Sequence, residues 1–125
     1  MDPTVLVCDN EEVLRNLVRA SLDGNGYRLV EARDGDEALA EARRCGPDVI
    51  LLDMMMPGRA GLEVLEELRR DPDLHHIPVL MLTARAQASD REAAERAGAD
   101  RFLSKPFSPA HLAAVVADLL DRNGD

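Results

Sequence analysis

Short apolar runs alternate with longer amphipathic stretches along the whole chain. The apolar runs occur at residues 5–7, 29–30, 49–52, 79–82 and 102–103. The stretches between and after them keep apolar residues at i, i+3 and i+4 spacing, which is the period of an α-helix. In the first stretch these residues are Val13, Leu14, Leu17, Val18 and Leu22. Strands that alternate with helices in this way predict βαβ units and a parallel sheet.

The composition of the runs predicts the order of the strands. The first, third and fourth runs are apolar without interruption, as expected for strands that helices cover on both faces. The second strand (residues 27–31) and the fifth (residues 101–104) contain more polar residues, so we place them at the edges. The predicted fold is an α/β, flavodoxin-like (βα)5 doubly wound sheet of five parallel strands in the order 2-1-3-4-5.

Turn and cap residues agree with these boundaries. Gly46 and Gly98 follow predicted helices, where a left-handed residue is often needed. Ser108 followed by Pro109 predicts an N-cap and first turn for the last helix.

Length and charge restrict the class of protein. A chain of 125 residues fits one domain, residues 1–125, and its net charge of -9 argues against direct binding of nucleic acid or an anionic membrane. No stretch is apolar enough to cross a bilayer. Cys8 and Cys45 do not have the spacing of a disulfide framework or a metal site, so we expect a cytoplasmic protein with reduced thiols. Both a stand-alone protein and a domain of a longer one are compatible with this sequence.

Polar side chains stand where several predicted strands end. Asp9 follows the first strand, Asp53 ends the third, Thr83 follows the fourth and Lys105 follows the fifth. Because ligands of open α/β sheets bind at the carboxyl ends of the strands, we expect these side chains to meet. Two adjacent carboxylates suit a hard cation such as Mg2+, and a phosphoryl group on one of them would be met by the metal, the lysine and the hydroxyl.

Four segments in register resemble a known family. They are VLVCDNE at residues 5–11, LLDMMMPG at 51–58, LTA at 82–84 and SKPF at 104–107. In order and spacing they resemble the signature segments of receiver domains from two-component response regulators. Each segment alone is a weak signal, but four in register cover essentially the whole chain.

The resemblance implies a role for each matching residue. Asp53 would be phosphorylated, Thr83 would be the switch hydroxyl, and Lys105 would pair with the phosphate. Phe102 stands where the family keeps an aromatic that changes rotamer on activation, although an aromatic on an edge strand can equally serve packing. The Lys105–Pro106 peptide resembles one that is cis in the family, and Met55 and Arg85 stand where the family tunes phosphate lifetime. The implied Mg2+ ligands are Asp9, Asn10, Asp53 and the backbone carbonyl of Met55.

The resemblance also implies partners and a mode of action. A sensor histidine kinase, a phosphotransfer protein or a small phosphodonor would supply the phosphoryl group. A conformational change would then reach the surface formed by the fourth helix, the fifth strand and the fifth helix, which a downstream effector protein or an output domain would read. Such a domain turns over no external metabolite, so we do not expect an enzyme.

Two positions depart from the family pattern. Asn10 replaces the second acidic residue after the first strand, so it would ligate Mg2+ without a charge or else only cap the first helix. Ala60 replaces an aspartate that often caps the third helix. Asn10 keeps open the alternative of a pseudo-receiver, a phosphorylation-independent interaction module. A hydrolase of the haloacid dehalogenase type would need an aspartate at Met55, and a flavodoxin would need a phosphate loop after the first strand.

Overall fold

The fold is an alternation of five strands and five helices. The computed structural model describes residues 2–84 and 87–124. The elements in chain order are β1 (Thr4–Cys8), α1 (Glu12–Leu22), β2 (Arg28–Ala32), α2 (Gly35–Cys45), β3 (Val49–Asp53), α3 (Gly61–Arg70), β4 (Val79–Thr83), α4 (Ala88–Ala97), β5 (Arg101–Ser104) and α5 (Pro109–Gly124).

The strands form one parallel sheet in the order β2-β1-β3-β4-β5, which confirms the predicted fold. Every residue of β3 and β4 is buried. By contrast, Ala32 is the one buried residue of β2, and Leu103 is the one buried residue of β5. Strand composition predicts strand position here because only the central strands have both faces covered by helices.

Alternate side chains of the strands enter two cores on opposite faces of the sheet. Leu6 and Ile50 belong to the core under α2, α3 and α4. Val7 and Leu51 belong to the core under α1 and α5. At the carboxyl ends of β1, β3 and β4, buried polar residues follow these apolar side chains: Asp9, Asp53 and Thr83.

The helix ends follow the local sequence. The Asp34 side chain caps α2 by accepting the Glu37 backbone N–H at 2.8 Å, and the Ser108 hydroxyl oxygen accepts the His111 N–H at 3.0 Å. Gly46 and Gly98 end their helices with φ of 54° and 104°, the left-handed conformation that favours glycine. Ala60 precedes α3 without a side-chain cap, as its methyl group requires.

The apolar residues of α1 divide between core and solvent. Val18 and Leu22 are buried, but Val13 is 80% exposed and Leu17 is 39% exposed. Arg15 is buried on the same face as Val18 and Leu22, since positions three and seven residues apart share a helix face. A charged residue therefore takes an inward position that apolar periodicity alone would not assign to it.

Gly61 permits an unusually close approach between α3 and the end of β3. Its backbone N–H donates to the Met54 carbonyl at 3.0 Å. A Cβ atom at this position would lie 2.2 Å from the Asp53 carbonyl oxygen and 2.8 Å from the Met54 Cα. Both neighbours are backbone atoms, so no side-chain rotation can relieve the clash and only glycine fits. The first turn of α3 is thereby held against the residue that ends β3.

We predict that Gly61→Ala lowers the free energy of unfolding by about 2–4 kcal/mol, because the methyl group must displace backbone. In an unobstructed helix the same change would add up to ~1 kcal/mol of stability. Urea unfolding followed by circular dichroism measures the difference. Gly46→Ala is the matched control, since it introduces left-handed strain in open space and should cost only about 1 kcal/mol. An equal or smaller loss for Gly61→Ala would contradict the packing argument.

Candidate functional site

The carboxyl edge of the sheet collects polar side chains from four strands. Asp9 follows β1, Asp53 ends β3, Thr83 ends β4 and Lys105 follows β5. Asp9, Asp53 and Thr83 are buried, and the side chain of Lys105 is 14% exposed. Parallel strands place all four of these ends on the same edge of the sheet.

The Lys105 ammonium group lies against both carboxylates. Its Nζ atom is 2.9 Å from Asp9 Oδ2 and 3.6 Å from Asp53 Oδ1. The structure thus brings Asp9, Asp53 and Lys105 together as one cluster. A cation within this distance of two buried carboxylates offsets their mutual repulsion.

Asp9 is fixed by contacts from several directions. Its backbone N–H donates to the Ala32 carbonyl at 3.0 Å, and its Oδ1 accepts the Glu11 backbone N–H at 2.9 Å. Its carbonyl oxygen accepts a hydrogen bond of 2.7 Å from Arg15 Nη1. Both the backbone and the carboxylate of this residue are therefore held in one orientation.

Asp53 has fewer partners and a perturbed acidity. Its Oδ1 accepts the Met55 backbone N–H at 3.3 Å. Burial, followed by the charge of Asp9, raises the pKa of Asp53 from its ordinary value of 3.8 to about 6, against the opposing effect of Lys105. The carboxylate is still mainly ionised at neutral pH. A buried carboxylate with a raised pKa is a typical feature of a functional site.

The backbone links Thr83 to Lys105. The Lys105 N–H donates to the Thr83 carbonyl at 2.7 Å, and the Lys105–Pro106 peptide is cis, as the resemblance implied. Thr83 is fully buried at the same edge. The strand ends of β4 and β5 are therefore joined at the site itself.

The donor set of the cluster suits a hard cation. Across residues 2–84 and 87–124, no cluster of three or more histidine, cysteine or carboxylate side chains could hold a metal ion. The site offers two carboxylates, and Asn10 is exposed directly after Asp9. Oxygen donors, with water completing the shell, are what Mg2+ prefers. Asn10 does not cap α1, because Glu11 occupies the N-cap position.

Two further positions implied by the resemblance are described by the structure. Phe102, in β5, is partly buried, and the Arg91 guanidinium of α4 lies 4.8 Å from the centroid of its ring. The Met55 side chain is 55% exposed beside the cluster. Arg85 is outside the described residues.

Arg15 is a site neighbour that sequence reasoning missed. It contacts the Asp9 carbonyl from α1 and forms an ion pair of 3.0 Å with Glu31 of β2. Its position three residues before Val18 and seven before Leu22 puts it on the inward face of α1, but the apolar period alone does not show that Val18 and Leu22, and not Val13 and Leu17, define that face.

A (βα)5 sheet with two buried carboxylates and a lysine at its carboxyl edge defines the receiver class of signalling domain. The chain belongs to the response regulator receiver domain family, whose model matches residues 5–117. It is a receiver domain of the two-component type. Domains of this family function in signalling rather than as catalysts, and they typically use Mg2+ for phosphorylation.

Relatives and solved structures agree with this assignment. The chain is 40% identical over 118 residues to the phosphate regulon transcriptional regulatory protein PhoB of Escherichia coli, covering 94% of this chain and 52% of PhoB. It is 39% identical over 123 residues to the alkaline phosphatase synthesis transcriptional regulatory protein PhoP of Bacillus subtilis, covering 98% and 50%. The chain therefore spans about half the length of these relatives.

Among solved structures, chemotaxis protein CheY4 of Vibrio cholerae matches with a TM-score of 0.89 and 32% identity over 95% of this chain and 99% of that one. The receiver domain of Francisella response regulator 1452 matches equally well, with a TM-score of 0.89 and 32% identity over 97% and 98%. Within the described residues, no helix has the length and apolar character needed to cross a bilayer.

We predict that Asp53→Asn stabilises the metal-free protein by about 1–3 kcal/mol at pH 7. Folding raises the pKa of Asp53 from 3.8 to about 6, so between these pH values the folded state retains a proton that the unfolded state has released. At pH 7 that advantage of the folded state has been lost, because both states are then mainly ionised. Wild-type stability therefore falls as pH rises from about 4 to about 6, and asparagine removes this loss. Urea unfolding in a chelator at several pH values measures the effect.

The gain should shrink towards zero below about pH 3, where both states of the wild type are protonated. Asp73→Asn, an exposed carboxylate on the α3–β4 loop, should change stability by only a few tenths of a kcal/mol. A gain independent of pH, or a loss at pH 7, would contradict the assignment of a raised pKa to Asp53.

Proposed function

We propose that the chain accepts a phosphoryl group on Asp53 in the presence of Mg2+, from a sensor histidine kinase, a phosphotransfer protein or a small phosphodonor. The observation that carries this proposal is the Lys105 ammonium group within 2.9 Å and 3.6 Å of Asp9 and Asp53. An ionised carboxylate is a nucleophile, and a cation beside it stabilises the charge that a phosphoryl group brings.

The transfer forms one bond and breaks one. An oxygen of the Asp53 carboxylate attacks phosphorus, and the bond from phosphorus to the donor's imidazole nitrogen breaks, with the electron pair leaving on that nitrogen. Lys105 then meets the oxygens of the phosphoryl group. When bound, Mg2+ supplies charge neutralisation at those oxygens. Its proposed ligands are Asp9, Asn10, Asp53 and the backbone carbonyl of Met55.

Phosphorylation would change the conformation of Thr83 and Phe102. Thr83 is the hydroxyl that would turn towards the new phosphoryl oxygens, and Phe102 would change rotamer on the neighbouring strand. The helix α4 buries few side chains, since Ala94 is its one fully buried residue. This supports a conformational change at the α4–β5–α5 surface. A helix held by few buried contacts can be displaced at little cost.

The surface around the cluster supports a protein donor. Val13 and Leu17 are exposed one turn apart on α1, and Met55 is exposed beside Asp53. Exposed large apolar side chains are available to a docking partner, which we propose is the protein donor. The net charge of -9 argues that the domain itself binds neither nucleic acid nor membrane.

The readout partner would be a downstream effector protein or an output domain. The chain spans about half the length of PhoB and PhoP, whose names describe transcriptional regulators, so an output domain on the same polypeptide is one form that this partner could take. We place the domain in the cytoplasm, where Cys8 and Cys45 would stay reduced.

We predict that wild-type protein gains the mass of one phosphoryl group on incubation with acetyl phosphate and Mg2+. Asp53→Ala should gain none, because it lacks the accepting oxygen, and a chelator should abolish labelling of the wild type. Intact-protein mass spectrometry measures the result. Equal labelling of Asp53→Ala would show that another residue accepts the phosphoryl group. A wild type that is never labelled would favour the pseudo-receiver alternative.

We also predict that Asn10→Asp tightens Mg2+ binding about three- to tenfold, because it adds a charge to a neutral oxygen donor. Calorimetric titration with Mg2+ measures the affinity. Asn16→Asp is the matched control, since Asn16 is exposed on α1 and the change adds the same charge away from the cluster. An equal effect of the two substitutions would show that Asn10 has no place in the metal site.

A further inference from the structure

The buried polar residues of the described chain form a short set with one unexplained member. The set is Asp9, Arg15, Asp53 and Thr83. Three of these belong to the proposed phosphorylation site, but Arg15 has no role in the proposed transfer. An arginine removed from water requires partners that replace its hydration, and those partners show what it holds.

Arg15 joins three elements next to the cluster. From α1, its Nη1 donates to the Asp9 carbonyl at 2.7 Å and its Nε donates to Glu31 Oε1 at 3.0 Å. Glu31 also accepts a hydrogen bond from Arg19, an exposed residue one turn further along α1. Hydrogen bonds from Arg19 and then Arg15 lower the pKa of Glu31, so its carboxylate stays charged.

The contact with the Asp9 carbonyl fixes a peptide plane. That carbonyl and the N–H of Asn10 belong to one planar unit, so holding the oxygen also orients the backbone of the next residue. Asp9 and Asn10 are the two metal ligands proposed for this loop. Asn10 is exposed, and Arg15 holds the loop from its buried side.

We propose that Arg15 is a positioning residue for the metal-binding loop: by holding the peptide between Asp9 and Asn10, it aims both oxygen donors at one cation. This inference rests on the proposed function, because it takes the metal site as given. Arg15 acts through the loop, since its contact beside the cluster is the hydrogen bond of 2.7 Å from its Nη1 to the backbone carbonyl of Asp9.

The chain offers a matched pair of substitutions to test this role. Arg15→Gln removes the contact with Asp9, whereas Arg19→Gln removes an arginine from the same Glu31 without touching Asp9. Calorimetric titration with Mg2+, in the absence of any phosphodonor, should show affinity about tenfold weaker for Arg15→Gln. Arg19→Gln should change it by less than about twofold.

A kinetic readout separates positioning from a general loss of structure. With acetyl phosphate as donor, Arg15→Gln should need about tenfold more Mg2+ for half-maximal labelling, while the rate at saturating Mg2+ falls by less than about threefold. Glu31→Gln, which leaves Arg15 without its charged partner, should shift the half-maximal Mg2+ concentration in the same direction by a smaller factor. Arg15→Lys is the second variant, because it keeps the charge but loses the fork that reaches two acceptors at once.

Three results would overturn the proposal. The first is unchanged Mg2+ affinity in both Arg15→Gln and Arg15→Lys. The second is an equal loss in Arg19→Gln, which would assign the effect to Glu31 or to net charge. The third is a labelling rate that falls at every Mg2+ concentration with no shift in half-saturation. A wild type that binds Mg2+ but is never labelled would refute the phosphoacceptor function and still leave the Arg15 effect measurable.

Discussion

The bridge from Lys105 to the carboxylates of Asp9 and Asp53 is the interaction on which the site depends. Two carboxylates at one buried edge repel each other, and burial adds to the cost of keeping both ionised. The raised pKa of Asp53 shows that Lys105 only partly offsets these effects. The carboxyl edge of the sheet therefore keeps an excess of negative charge, which the proposed divalent cation would neutralise. Lys105 therefore balances only part of the charge of the two carboxylates, and the three side chains do not form a neutral ion pair.

The sheet provides this arrangement through close backbone packing. The strands β1 and β3 are hydrogen-bonded neighbours in which Cys8 pairs with Leu52. Asp9 and Asp53 each come directly after this pair. β4 lies next in the sheet and is tied to Lys105 by the hydrogen bond to the Thr83 carbonyl. Gly61 lets α3 start directly against the Asp53 carbonyl. Because these anchors are backbone atoms, the side chains of the cluster can respond to a ligand while their attachment points stay fixed.

Sequence pattern could predict the sheet order and the strand-end residues, because both follow from one-dimensional signals. Uninterrupted apolar runs identify the central strands, and a polar residue immediately after such a run marks the functional edge. The inward face of α1 could not be read in this way. Val13 and Leu17 fit the apolar period as well as Val18 does, yet they are exposed, and Arg15 is buried. Arg15 is buried because its partners, Glu31 of β2 and the Asp9 carbonyl after β1, lie on that side of the helix. These partners come from other parts of the chain, so the sequence of α1 does not reveal them.

Charge at the cluster connects Asn10 with the proposed chemistry. Asp9 and Asp53 together with Lys105 carry one net negative charge when both acids are ionised. A divalent cation bound there would reverse that sign, whereas an acid at position 10 would leave the loaded site neutral. In the proposed site, asparagine at position 10 would therefore attract the metal less strongly but would leave a positive site for an anionic phosphoryl group. With less charge to attract the proposed cation, its affinity would depend more on the geometry of its ligands, and holding the Asp9–Asn10 peptide in place would matter more.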